Sequence, residues 1–330
     1  MSAQRTRSRA HRRFPAARRQ RGVAMMVAIL LVAFGTILAA AIAFKSAMAA
    51  RRGTATLALD QSMLIAEGAE ALAAYALRES GKANGSSGST YPGQEWSQPL
   101  GPVEVVPGVV LEAYVEDVSG RFNLNSLVDG SGQVDVAALD KLGDLMEQLG
   151  IERKWASMMA DWIDTDNQPL NDGAEDSTYA AQDPPYRAPN TLITSASELL
   201  AMPDFGRERY LKLLPYVTAL PQDAYINVCS AGGVLLDSLV GPTYKQHGPD
   251  PEALNKARQN GCFPGLQAFQ SEFSNPQDWQ NVSNRVKETS EYFRLTSIVT
   301  IGSAEFALYS LLYRDATNQV HVLMRSFTPD

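Results

Sequence analysis

The stretch Val23–Phe44 reads VAMMVAILLVAFGTILAAAIAF. Its twenty-two residues hold no charge, no Asn or Gln and no Pro. At about 1.5 Å of rise per residue, a helix of that length reaches about 33 Å, enough to cross a hydrocarbon core of about 30 Å. Arg18, Arg19, Arg21 and Gly22 precede it, and Lys45, Arg51 and Arg52 follow it. A helix-favouring run then continues to about Ser80. An apolar helix that passes without a break into a polar one carries the rest of the chain at its far end.

Working outward, charge gives the orientation. The chain has 330 residues and a formal net charge of −7. Residues 1–22 hold eight Arg and no acid, so without them Lys+Arg falls from 29 to 21 against 36 Asp+Glu, a formal −15. By the positive-inside bias the basic end stays in the cytoplasm and the acidic bulk is exported. An acidic exported body excludes nucleic acid as the expected partner. It suits divalent cations or basic protein faces. The two cysteines, Cys229 and Cys262, permit one disulfide in an exported chain; two separate buried thiols are the alternative.

Residues 1–22 read as a processed leader. Two cuts compete. One is an ordinary secretory cut after Ala47-Met48-Ala49, which would free a soluble periplasmic calcium-binding protein or enzyme. The other falls after Gly22 and keeps the apolar segment. Residues 45–80 continue as helix, with Leu57, Leu64 and Ala71 beside Ala58, Ile65 and Leu72 as an apolar stripe, and Glu67 and Glu70 among its polar decoration. Residues 80–102 are rich in Gly, Ser and Pro and read as a loop. Val109–Asp117 alternates as a half-buried strand, and Phe122–Asn125 is a second short extended piece.

From Val134 the period becomes helical. Leu139, Leu142, Leu145, Met146 and Leu149 share a face, and Gly150 ends the run. Ile151–Ile163 is the next helix. Further helices are expected after Ser195, whose pairing with Glu198 is a capping-box pattern, then over Arg207–Tyr216, around Leu235–Leu239, over Pro251–Asn260 and over Pro264–Phe273. Period two returns in Tyr292–Ile301, Phe306–Tyr313 and the Val320–Phe327 region, a meander of three strands. Strands on both sides of a helical block predict an α+β fold, with one domain interrupted by an insertion.

Basic leader, Gly, apolar segment and continuing helix together resemble a type IV prepilin-type N-terminus. In that family a prepilin peptidase cuts after the Gly and methylates the new N-terminus, here at Gly22 and Val23. The fifth residue of such a mature chain is usually Glu; here it is Val27. That departure, with the strings DQSMLIAEGAEALA (Asp60–Ala73) and SGRFNLNSLV (Ser119–Val128), resembles the large minor pseudopilin of type II secretion systems, the K subunit. The resemblance implies a pilin-like long N-terminal helix packed on an antiparallel sheet, with a large, mostly α-helical inserted domain. The expected division is a leader at 1–22, a transmembrane and assembly helix at 23–44, a first pilin-like part at 45–125, the insertion at 126–280 and a second pilin-like part at 281–330. The implied place is a single pass through the cell inner membrane with the bulk in the periplasm. The implied role is structural: a tip complex with the I, J and H minor pseudopilins that starts assembly on the major pseudopilin.

The chemically pointed stretch is DWIDTDNQPLNDGAEDSTYAAQDPPYR, Asp161–Arg187. Between 164 and 190 lie Asp164, Asp166, Asp172, Glu175, Asp176 and Asp183, against Arg187 alone. A loop this long is uncommon in a compact domain unless something orders it. Clustered hard oxygens suit Ca²⁺. Counted from Asp164 the spacing echoes an EF-hand loop, but Pro169 takes the place of its Gly. Spacing alone leaves a solvated acidic loop equally open. DWID, GAED and DPPYR resemble the K subunit, whose helical domain binds calcium, and carry the expectation to Glu175 and Asp176, then Asp164 and Asp166. Asp161 is read as capping or pairing within its helix. No GxSxG, HExxH, P-loop or dinucleotide fingerprint is present, so no catalytic residue is assigned and no enzyme is expected.

Overall fold

The computed structural model describes residues 21–84 and 88–329. Residues 1–20 of the expected leader, Arg18 and Arg19 among them, lie outside the described residues. The chain divides into two units, residues up to Asp60 and Gln61–Asp330. Helix α1 (Arg21–Asn84) supplies all the described structure of the first. There the apolar stretch is exposed throughout, from Val23 at 63% to Phe44 at 68%. Among the described residues it belongs to the one helix long and apolar enough to cross a membrane.

The second unit is built on one sheet. Its strands are β1 (Leu100–Val106), β2 (Val109–Asp117), β7 (Tyr292–Ile301), β8 (Ala304–Arg314) and β9 (Val320–Ser326), all antiparallel and paired in that order. Strands β2 and β7 pair without a slip from Val109–Ile301 to Asp117–Phe293. Residues 118–291 therefore leave and re-enter the sheet between neighbours. The alternation in β2 decides its faces: Val109, Leu111 and Ala113 are buried against α1, while Glu112 and Tyr114 are exposed.

The helical stripe that meets the sheet is not the one its leucines predict. Leu57, Leu64 and Leu72 are 69%, 69% and 56% exposed. Ala66, Ala69, Ala73 and Leu77 are buried instead, packed with Trp96, Phe293, Leu295, Val299, Leu308 and Leu312. Small side chains let the helix backbone lie close to strands that carry the bulk themselves. Glu70, expected as surface decoration, is buried on the same face. Arg325 of β9 grips its two oxygens at 2.9 and 2.6 Å, and the Ser310 hydroxyl donates to it as well. Charge burial is met here by an ion pair rather than avoided.

Between β2 and β7 lie β3 (Phe122–Asn123), α2 (Val136–Gln148), α3 (Lys154–Ile163), α4 (Asp176–Tyr179), α5 (Gly206–Leu213), β4 (Val217–Thr218), β5 (Ile226–Asn227), α6 (Gly233–Val240), α7 (Pro251–Ala257), α8 (Leu266–Gln270), α9 (Pro276–Ser283) and β6 (Val286–Lys287). The short strands pair in parallel, β3 with β4 and β5 with β6. Leu142, Leu145 and Met146 of α2 are fully buried, and Gly150 at φ 67° ends the run as its position predicts. Asp117, at the end of β2, ties sheet to helices: it accepts from Ser119 N, Asn227 Nδ2, Ser230 Oγ and Ser290 Oγ. Burial outweighs those bonds and raises its pKa.

Several sequence expectations shift. The 80–102 loop holds the end of α1, a 3₁₀ turn at Glu95–Ser97 and the start of β1. Every residue of β1 is exposed, so it shows no alternation to read. The Ser195–Glu198 element is a 3₁₀ helix, Ala196–Ala201, and Glu198 accepts from Thr194 N and Oγ1 rather than from Ser195 N. Helix α7 stops at Ala257, short of the expected Asn260, with the buried Arg258 as its C-cap, and α9 is an addition to the expected helices, capped by Asn275 and opened by Pro276. In β9 neither face is buried, since it is an edge strand with a register shift opposite Leu311–Leu312.

Candidate metal centre

Helix α3 and the one-turn α4 bring the acidic residues together. Asp161 sits in the last turn of α3, Asp164 is its C-cap, and Glu175 is the N-cap of α4. Each is at least 97% buried, and one carboxylate oxygen from each lies within 4.8 Å of the others. The C-terminal end of a helix carries partial negative charge, so two carboxylates there are doubly unfavourable without a cation. Asp164 Oδ1 and both oxygens of Glu175 are buried and have no hydrogen-bond partner. Burying an unpaired carboxylate is costly enough that its pKa moves instead. Burial first, then the neighbouring carboxylates, push Asp164 up to about 6 and Glu175 up to about 7. Asp161 rises to about 6 through burial, against the two backbone bonds it accepts.

Asp161 has a second task. It accepts from Leu170 N at 3.1 Å and Ala174 N at 2.7 Å, and so closes the loop that carries Glu175. The loop comes so close that a Cβ on Gly173 would stand 1.9 Å from Asp161 Oδ2. Gly is required there by space, not by a left-handed backbone. Trp162 and Tyr179 pack edge to face beside the acids at 5.0 Å.

Of the four expected ligands, Asp164 and Glu175 meet. Asp166 lies near enough for its charge to raise all three pKa values, but its Oδ1 accepts from Gln168 N at 2.7 Å. Asp176 turns to the following loop, accepting from Ala188 N at 3.2 Å with Arg187 at 3.8 Å. The sequence reading missed Asp161 as a member of the cluster. Its signal was the i, i+3 spacing of Asp161 and Asp164 at a helix end, which sets both carboxylates on one side. Three carboxylates and no nitrogen or sulfur make a hard-oxygen donor set that fits Ca²⁺.

Gly22 and Val23 lie in the first turn of α1, with Val23 exposed. Cys229 and Cys262 are joined, with Cα atoms 4.7 Å apart. Arg258 is buried beside them. It donates to Phe263 O at 2.6 Å, to Val228 O at 3.0 Å and to Ala231 O at 2.8 Å, clamping the segments that carry both cysteines. Burial lowers its pKa to about 10.

The family model described as Type II secretion system (T2SS), protein K matches residues 120–222. Type II secretion system protein K of Pseudomonas aeruginosa is 30% identical to this chain over 321 residues, 93% of each chain. That of Pectobacterium carotovorum subsp. carotovorum is 32% identical over 328 residues, 94% of this chain and 97% of the relative. The fold is similar to one in the crystal structure of the GspK-GspI-GspJ complex from the enterotoxigenic Escherichia coli Type 2 Secretion System. The TM-score is 0.71 at 23% identity, over 84% of this chain and 100% of that one.

Proposed function

This chain belongs to the type II secretion system protein K family, a family of minor pseudopilins, and from that premise we propose that it joins the other minor pseudopilins in the tip complex that starts pseudopilus assembly. The observation that carries the reading is residues 118–291 entering between neighbouring strands β2 and β7. A body that size beside the sheet crowds a repeat along a thin fibre, and a terminal position relieves it. The structure sharing this fold holds GspI and GspJ, so the I and J subunits are the partners of first choice; the H subunit and the major pseudopilin follow from the same role. The helix from Val23 holds the subunit in the inner membrane after a prepilin peptidase cuts behind Gly22. The mature mass then starts at methylated Val23, and a start at Ala50 would sink the membrane-retained role. Purified full chain mixed with the I and J subunits is expected to elute as one complex. Separate elution at micromolar concentration rejects the tip assignment.

Calcium belongs to the same proposal. Asp161, Asp164 and Glu175 would hold it, and its charge would pair buried carboxylates that lack protein partners. The consequence is mechanical: the ion would fasten the end of α3 to the start of α4. The pH dependence has a definite sign. All three folded pKa values lie above the unfolded ones, so the metal-free fold binds more protons than the unfolded chain. The contribution of these three groups to stability therefore falls as pH rises from about 4 to 7 and levels off above. Calcium binds the ionised carboxylates, so the gap in Tm with and without calcium should widen over that window. A gap that Glu175→Gln with Asp161→Asn leaves unchanged removes the assignment.

A further inference from the structure

The described part of the first unit carries three cations just past its apolar stretch. Lys45, Arg51 and Arg52 are exposed on α1. Residues 23–59 contain no Asp or Glu, and Asp60 is the first acid of the chain. Among the described residues no ion pair reaches any of the three. The body beyond them is strongly acidic, so the three stand out in sign from the chain that follows.

Their distance from the apolar stretch identifies the partner. At about 1.5 Å per residue, Lys45 lies about 1.5 Å past Phe44, and Arg52 about 12 Å past it. A headgroup layer is roughly 5–8 Å thick on each side of the hydrocarbon core. Lys and Arg side chains reach back toward a membrane surface along their apolar stems. Lys45 and Arg52, seven residues apart, share a face of the helix, and Arg51 stands about 100° from Arg52. Two faces of the helix therefore carry positive charge within side-chain reach of the headgroups. An acidic protein would not require that placement, whereas a phosphodiester headgroup does.

We propose that Lys45, Arg51 and Arg52 form a collar that binds anionic phospholipid headgroups in the leaflet facing the bulk of the chain. It rests on the reading of Val23–Phe44 as a membrane span. The collar grips the subunit on the side toward which assembly must draw it. Leaving the bilayer then means releasing several phosphates, and the anionic lipid content of that leaflet sets how easily the subunit leaves.

The test uses the whole mature chain from Val23, so that no leader Arg contributes. It is first floated with vesicles of phosphatidylcholine alone, then with vesicles also containing phosphatidylglycerol, and the lipids it retains are counted by native mass spectrometry. The expected result is flotation with both and preferential retention of phosphatidylglycerol. That preference should fall about 5-fold for each cation replaced across Lys45→Gln, Arg51→Gln and Arg52→Gln. Lys82→Gln, near the far end of α1, should leave it unchanged. Failure to float overturns the membrane reading and the collar with it. Flotation with a preference that survives the triple substitution, or that vanishes with Lys82→Gln, overturns the collar alone. So does displacement of the retained lipid by inorganic phosphate, which would make the site one for a free anion.

Discussion

Where α1 meets the sheet, the contact is made by Ala66, Ala69, Ala73 and Leu77 against strands that alternate inward and outward. In the helical body between β2 and β7, the helices are short and joined by loops. There Asp237 accepts from Gln246 N, His247 N and Gly248 N, Asp161 from Leu170 N and Ala174 N, and Arg258 donates to three carbonyls. A long helix or a paired strand satisfies its own backbone and needs only shape. A body of short helices leaves many backbone groups unpaired, so buried charges finish the bonding. The first region is set mainly by side-chain size, with the one buried pair of Glu70 and Arg325 joining helix to strand; the second is held by charges that bond backbone groups.

The largest expected break of that contrast is Asp237→Ala. It strands three amides in the helical body and should cost about 4 kcal/mol in denaturant unfolding. A cost below 1 kcal/mol would mean that the loop repairs itself with water. Next comes the Cys229–Cys262 bond, which closes a separation of 33 residues. Cys229→Ser with Cys262→Ser should cost roughly 3–4 kcal/mol by loop entropy, with protease sites opening first in the helical body. On the sheet side, Ala69→Leu should destabilise by about 2 kcal/mol through overpacking. If Ala69→Leu is neutral, close approach is not what the alanines provide. The smallest effect is expected at exposed Leu64. Leu64→Ser should change folding stability by less than about 0.5 kcal/mol, since that side chain is 69% exposed; a cost above about 1 kcal/mol would mean that the leucine side of α1 packs after all.

Legibility followed the same line. Strands β2, β7 and β8 and helix α2 were readable because burial on one face leaves a period of two or 3.6 in the sequence. Strand β1 left none, being exposed on both faces. Val109–Asp117 was readable to the residue, yet the stripe of α1 was misread, because Leu signals burial in composition while Ala signals it only when a sheet lies close. Resemblance points to Asp164 and Glu175, which do meet; Asp161 reads as a cap or a partner within its helix, and only the fold brings it to them.

By itself the sequence determined the apolar span, its basic leader, the continuing helix and the switch from strand to helical period and back. These are one-dimensional properties, fixed by which residues recur at which spacing. Only the tertiary structure decided which side of α1 is buried, that Glu70 is paired with Arg325, and that Asp161 joins Asp164 and Glu175. Each of those depends on residues distant in sequence arriving at one place. Whether a carboxylate is solvated or buried is then a matter of its neighbours, not of its own chemistry.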